Sequence, residues 1–170
     1  MSIRHTVIDT DLGPITLVAV DETITGLYFR QHIRRPSQES FGPEVANPTD
    51  PLLNEAARQL GEYLAGDRAE FDLPLAGDGD LFQQAVWELV TRIPRGETMT
   101  YGRIAEQFGD RRLAQHVGQA VGANPLCILV PCHRVVGANG SLTGYAGGLR
   151  RKRFLLELEE PAAVGAARLF

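Results

Sequence analysis

The chain has 170 residues, 44% of them apolar and 22% charged, a globular composition that excludes a disordered protein. Its formal charge of −4 excludes a protein that coats nucleic acid by bulk positive charge, yet the charge is divided: residues 1–80 carry 6 Lys/Arg and 14 Asp/Glu, a net −8, whereas residues 81–160 carry 10 and 7, a net +3. Two cysteines five positions apart, Cys127 and Cys132, make no disulfide framework, no apolar run nears the ~18 residues of a membrane span, and the N-terminus lacks a secretory apolar region, so the sequence predicts a cytoplasmic protein with no membrane partner.

Residues 6–9 and 15–20 read as strands separated by the turn Leu12-Gly13-Pro14, and residues 23–30 continue as a third, so an antiparallel meander is expected. Residues 31–50, with Pro36, Pro43 and Pro48, read as a loop. A helix starts at Asp50-Pro51, with Asp50 as N-cap and Pro51 in the first helical position; Leu52, Leu53, Ala56, Leu60 and Leu64 form its apolar face and Gly66 ends it. Phe71–Leu75 is a short strand or extended exit, and Gly77-Asp78-Gly79-Asp80 marks a domain boundary where the charge also divides.

The second half is richer in helix. Asp80 caps a helix whose expected apolar face is Leu81, Phe82, Ala85, Val86, Leu89, Val90 and Ile93. Thr100 caps a short helix with Ile104, Ala105 and Phe108 inward, Gly109-Asp110 turns the chain, and residues 112–123 form a second helix packed through Leu113, Val117, Ala120 and Val121. Two short helices across a glycine-containing turn make a helix-turn-helix pattern. Gln115, Gly118, Gln119 and Gly122 share the outer face of the second helix. Glycine costs about 1 kcal/mol inside a helix. Two on one face therefore signal a close approach, either by another helix or by a nucleic-acid groove.

Residues 124–136 carry the reactive chemistry. The apolar stretch Leu126–Val130, between Pro125 and Pro131, reads as a buried strand or extended passage delivering Cys132 beside His133 and Arg134. A thiolate is a strong nucleophile, and neighbouring basic groups raise its population. Adjacent side chains of an extended chain point apart, so His133 is expected to act through a bridging water, with a carboxylate orienting its ring. Cys127, inside the apolar run, reads as a core cysteine. The four histidines show no metal-ligand spacing, so no metal is expected. Thr143–Gly148 reads as a flexible wall around a flat ligand, without the Lys-Ser/Thr of a phosphate loop. Residues 149–160 form a last helix, basic at its start and acidic at its end, against the helix dipole; that mismatch suggests that some of these charges serve a site. Only Lys152 of the 17 basic residues is lysine, which compositional bias explains.

Asn124-Pro125, then Ile128-Leu129-Val130-Pro131-Cys132-His133-Arg134-Val135-Val136, then Gly144–Gly148, resembles the O6-alkylguanine-DNA alkyltransferases over about residues 80–160. The resemblance implies an α/β two-domain fold: an N-terminal ribonuclease H-like antiparallel sheet with a helix (1–78), a mainly helical winged-helix-like domain with the helix-turn-helix (79–160), and a tail (161–170). It implies a cofactor-free monomer that flips an O6-alkylguanine out of double-stranded DNA and moves the alkyl group irreversibly to Cys132, with O4 of thymine as a second substrate. His133 would be the base acting through water, Glu159 its orienting carboxylate, Asn124 the brace of the turn, and Tyr101 a proton donor toward N3. Val135, Tyr145, Ala146, Gly118 and Val121 would line the pocket, and Gln115, Arg111, Arg112, Gln119 and Thr100 would meet DNA. The family usually has arginine where Gln115 stands and often serine where Ala146 stands. The alternative is a non-catalytic relative that binds alkylated DNA and recruits other repair factors.

Overall fold

The structure, a computed structural model, describes residues 2–161. All of the expected tail beyond Pro161 lies outside the described residues. Strands β1 (Ile3–Thr10), β2 (Gly13–Val20) and β3 (Thr23–Phe29) form the expected antiparallel meander in the order β1-β2-β3. The loop that follows contains two short 3-10 turns, Gln38–Phe41 and Asn47–Thr49. Helix α1 (Pro51–Leu64) starts where the capping signal placed it: the Asp50 carboxylate accepts the Leu53 N–H at 3.1 Å. Asp50 also receives Arg4 Nε at 2.6 Å, which ties the helix start to β1. Leu53, Ala56 and Leu60 bury against Ile15, Leu17 and Leu27 of the sheet. Beyond α1, residues 71–76 run beside β3, where the Ile24 N–H reaches Pro74 O and the Ala76 N–H reaches Ile24 O.

The second half comprises α2 (Leu81–Thr91), β4 (Met99–Thr100), α3 (Tyr101–Gln107), α4 (Ala114–Gly122), β5 (Val135–Val136) and α5 (Leu149–Glu159). Asp80 and Gln83 form a reciprocal capping box at the start of α2. Leu81, expected on the apolar face, is instead 90% exposed: it stands in the first turn, where the helix has not yet reached its partner. Trp87 takes the central place on that face, and its indole N–H donates to Ala120 O at 2.8 Å, fastening α2 to the end of α4. β4 and β5 pair in parallel, Met99 with Val135 and Thr100 with Val136, and so fix the entry to α3 beside the reactive segment.

Two further expectations change. Leu126–Val130 is not extended but a tight turn, closed by Val130 N–H to Leu126 O at 2.8 Å, with Ile128 at φ 73°. A β-branched residue in this left-handed region is strained. Cys132–Arg134, expected as extended chain, is a 3-10 turn. The cause of the first is Asn124, whose side chain spans the turn: its Nδ2 donates to Val130 O at 3.0 Å and its Oδ1 accepts from the Leu126 N–H at 2.9 Å. Apolar composition alone does not register such a clamp.

One apolar core runs through both halves, joining Leu27 and Phe29 of the sheet to Val86, Ile104, Val117 and Leu155 of the helical part. Backbone bonds cross the join as well: Leu27 N–H to Pro125 O at 2.9 Å, and Ile33 N–H to Ala146 O at 2.7 Å.

Candidate active site

Cys132 lies at the start of its 3-10 turn, only 4% exposed, and His133 behind it is fully buried. His133 Nε2 lies 2.9 Å from Glu159 Oε2. An ionised carboxylate only accepts, so the ring carries its proton on Nε2, and Nδ1 is left as a buried lone pair without a partner among the described residues. Burial lowers the His133 pKa, outweighing the pull of Glu159 upward, so the imidazole is neutral at pH 7.

Glu159 is the hub of the site. Arg134 donates Nε to Oε1 at 2.9 Å and Nη2 to Oε2 at 2.8 Å, a bidentate pair, and sends Nη1 to Ile93 O at 2.6 Å. Tyr63, from α1 in the other half of the chain, donates its hydroxyl to Oε2. Burial pushes the Glu159 carboxyl up, but the bonds from His133, Arg134 and Tyr63 hold it well below the usual carboxylate range. Glu159 is therefore ionised, and its negative charge is shared among three donors.

Cys127 is not an isolated core cysteine. Its sulfur is 3.9 Å from Cys132 Sγ and 3.9 Å from Asn124 O. The bond between the two thiols lowers Cys132 and raises Cys127, with Asn124 and the charge of Lys152 also drawing Cys132 down.

The charge order of α5 now has an explanation. Lys152, the one lysine, is fully buried and sends its ammonium to Val135 O at 2.6 Å, Thr143 O at 2.7 Å and Gly144 O at 3.5 Å. Burial lowers its pKa to about 8. Arg151 reaches Gly147 O at 2.9 Å and Leu12 O at 3.0 Å. The residue 143–148 segment is thus pinned by two cations rather than being a free wall. Tyr145, Ala146 and Gly147 within it are buried. At Gly147 a Cβ would sit 2.5 Å from the Phe29 ring, so only glycine allows the sheet to come this close.

The structure brings Cys132, His133, Glu159, Asn124 and Tyr145 into one buried cluster, with Val135 and Ala146 buried in the same core. Val121 faces the core. Tyr101 stands at the edge, its ring beside Gly118 of α4 and its hydroxyl 3.4 Å from Thr143 Oγ1. A Cβ on Gly118 would meet only that ring, at 3.7 Å, and one on Gly122 would meet nothing within 4 Å. Among the described residues only the Tyr101 ring at the start of α3 lies against this face, with room to spare for a Cβ, so tight helix packing does not explain the two glycines. Gln115 and Gln119 are exposed beside them. Arg111 and Arg112 are exposed too, but Arg111 is paired with Glu106 and Arg112 with Asp110 at 3.0 Å. The Thr100 hydroxyl caps α3, accepting the Arg103 N–H at 3.1 Å. Sequence reasoning missed the site roles of Tyr63, Lys152 and Cys127, and it read Arg134 as a basic neighbour of Cys132, whereas Arg134 pairs with Glu159. The lone lysine was a visible signal for one of them. Among the described residues no cluster of His, Cys, Asp or Glu is arranged to hold a metal ion, and no helix is long and apolar enough to cross a membrane.

Residues 3–76 match the family model for the ribonuclease-like domain of 6-O-methylguanine DNA methyltransferase, and residues 81–161 match that for its DNA binding domain. The chain is 44% identical over 168 residues to the methylated-DNA–protein-cysteine methyltransferase of Mycobacterium tuberculosis, covering 99% of each chain. It is 42% identical over 156 residues to the constitutive enzyme of that name from Bacillus subtilis, covering 91% of this chain and 94% of that one. Among solved structures, Mycobacterium tuberculosis OGT in complex with DNA superposes with a TM-score of 0.83 at 42% identity, covering 95% of this chain and 98% of that one.

Proposed function

This chain belongs to the 6-O-methylguanine DNA methyltransferase family, and from that premise we propose how its own residues carry out direct DNA repair by alkyl transfer. Cys132 is the acceptor. The observation that carries the assignment is the neutral His133, with Nε2 committed to Glu159 and Nδ1 free. A water between Nδ1 and Cys132 Sγ passes the thiol proton to the ring, and Glu159 stabilises the imidazolium that forms. The sulfur lone pair then attacks the alkyl carbon in line with its bond to O6. The S–C bond forms and the C–O6 bond breaks. The guanine takes the electron pair, and a proton from Tyr101 at its N3 neutralises it. The thioether is stable, so each molecule reacts once and no cofactor enters the balance.

In-line attack requires the base to leave the stack. The face of α4 bearing Gly118 and Gly122 is open enough to enter a groove, and Gln115 is placed to fill the space that the base leaves. Val135, Tyr145 and Ala146 hold the extruded guanine. We assign residues 1–78 as a supporting domain and residues 79–160 as the DNA-binding and acceptor domain, working as a monomer. The two reduced thiols suit the cytoplasm.

Intact mass after incubation with a duplex containing O6-methylguanine tests this reading. The expected result is one added methyl group on the protein, absent in Cys132→Ser. Binding without an adduct would instead mark a lesion-binding protein, and unmodified protein with released product would mark a hydrolase.

A further inference from the structure

The acceptor sulfur has a neighbour that the repair reaction does not consume. Cys127 Sγ is 3.9 Å from Cys132 Sγ and equally 3.9 Å from Asn124 O. Both thiols are buried, so neither turns to solvent for a partner. A thiol has one proton and a sulfur that accepts weakly. With Cys132 as a neutral thiol, its S–H points at Cys127 Sγ and the Cys127 S–H points at Asn124 O. Once Cys132 gives its proton away, its sulfur becomes an anion inside the protein, where an unpartnered charge is costly. Beside the Asn124 amide, which also draws Cys132 down, the Cys127 S–H is a donor that can turn to it, from the carbonyl to the sulfur, by rotation of its own side chain.

We propose that Cys127 is a positioning residue for the acceptor, switching its S–H bond from Asn124 O to Cys132 Sγ when that sulfur ionises, so that one proton serves two thiols and the charge settles on Cys132. The fold favours this placement. Asn124 clamps the turn that holds Cys127, and the same turn closes against the segment leading to Cys132 through Cys132 N–H to Val130 O at 2.7 Å. The directions of the two thiol pKa values agree, Cys132 drawn down and Cys127 driven up by the bond between them. After transfer the Cys132 sulfur is a neutral thioether, and the Cys127 S–H returns to the Asn124 carbonyl. Cys127 makes and breaks no covalent bond.

The other ionisable groups around the pair are Lys152 on α5, His133 with Glu159 and Arg134 behind it, Tyr145 on the pinned segment, and Tyr28 on β3. Substituting Cys127 also alters the surroundings of the Tyr145 hydroxyl, which interacts with it, so Tyr145→Phe combined with each Cys127 variant isolates the thiol bond.

The proposal rests on Cys132 being the reactive thiol, and the test keeps that assumption separate. Iodoacetamide labelling of Cys132 is followed by peptide mass across pH in the full chain, for the native protein and for Cys127→Ala, Cys127→Val and Cys127→Ser. Valine keeps the volume and removes the donor, and serine keeps a donor. The expected result is a labelling midpoint displaced to higher pH in the alanine and valine variants, with a rate at pH 7 lower by about fivefold, the weight of one hydrogen bond. The rate should recover at high pH, and the serine variant should return the midpoint toward the native value. An unmoved midpoint in the alanine and valine variants would overturn the proposal, as would an equal loss at every pH in all three. Labelling needs no DNA, so a failure of the repair reading, seen as no methyl adduct, is read independently.

Discussion

Tyr63 donates its hydroxyl to Glu159 across 96 residues of sequence. A helix of the acidic half therefore supplies one of the donors that hold the carboxylate behind the histidine. Chemistry that belongs by sequence to residues 124–159 is completed from α1.

Tyr63→Phe removes that bond and nothing else from a buried site. The expected loss is about 1–2 kcal/mol of stability, read as a lower urea midpoint. The transfer rate should fall less than in Glu159→Gln, because His133 and Arg134 still hold the carboxylate. A rate loss equal to that of Glu159→Gln would show that Tyr63 does more than share the charge.

Glu159 also sets an acid limit. Its carboxyl titrates lower in the folded protein than in the unfolded chain, so the unfolded chain takes up the proton first. The stability it gives is complete above the ordinary glutamate value, about 4.3, and is lost progressively as pH falls below that value. Urea unfolding from pH 7 down to pH 3 should show a decline that Glu159→Gln flattens. A parallel decline in the variant would place the acid sensitivity elsewhere.

Lys152→Met keeps the length of the side chain and deletes its donors. Val135 O is then left buried without that partner, at a cost of about 1–3 kcal/mol, and the part-buried Thr143 O loses its tie to α5. Lys152→Arg does not rescue, because a planar fork cannot converge on three carbonyls. Thermal unfolding of both variants, with proteolysis of the residue 143–148 segment as a second readout, checks this. Native-like resistance in the arginine variant would count against the geometry.

In the proposed complex Gln115 is neutral where a cation would both fill the duplex and stack. Gln115→Arg should speed methyl transfer from an O6-methylguanine duplex. Stopped-flow fluorescence of the extruded base would locate the gain in flipping, and an unchanged or slower rate would sink the idea.

Arg111 and Arg112 each face an acid on their own segment. Few basic groups are then left to neutralise phosphates. Binding titrations across salt should give a slope of log K against log salt no steeper than about −3, some three phosphates at about −0.9 each. A slope several times steeper would mean a much larger footprint.

The parts of the fold written in local chemistry were legible. Asp50-Pro51, Asp80 and Thr100 each cap the helix they announce, and the meander follows its turns. The candidate site was legible where residues lie close together, as in Cys132 and His133; the acidic end of the last helix stood out by its charge, but the family resemblance alone picked Glu159 from its neighbours. The rest depends on distant partners. Tyr63 looks like an ordinary helix tyrosine until α5 passes beside it. Leu126–Val130 looks like a strand because the Asn124 clamp bonds through an amide that hydrophobic patterning does not register. Cys127 looks like filler until the turn brings it back upon Cys132.

Lys152 carries the only side-chain amine of the chain, and the fold buries it completely. Acylating reagents and enzymes that modify lysine therefore find no target on the native surface of the described residues. Burial alone holds its pKa down, so uncovering returns it to ordinary lysine behaviour and makes it reachable by reagent for the first time. Acylation at Lys152 is thus a clock for opening of the site: each modified molecule records one moment at which α5 lifted from the segment it holds.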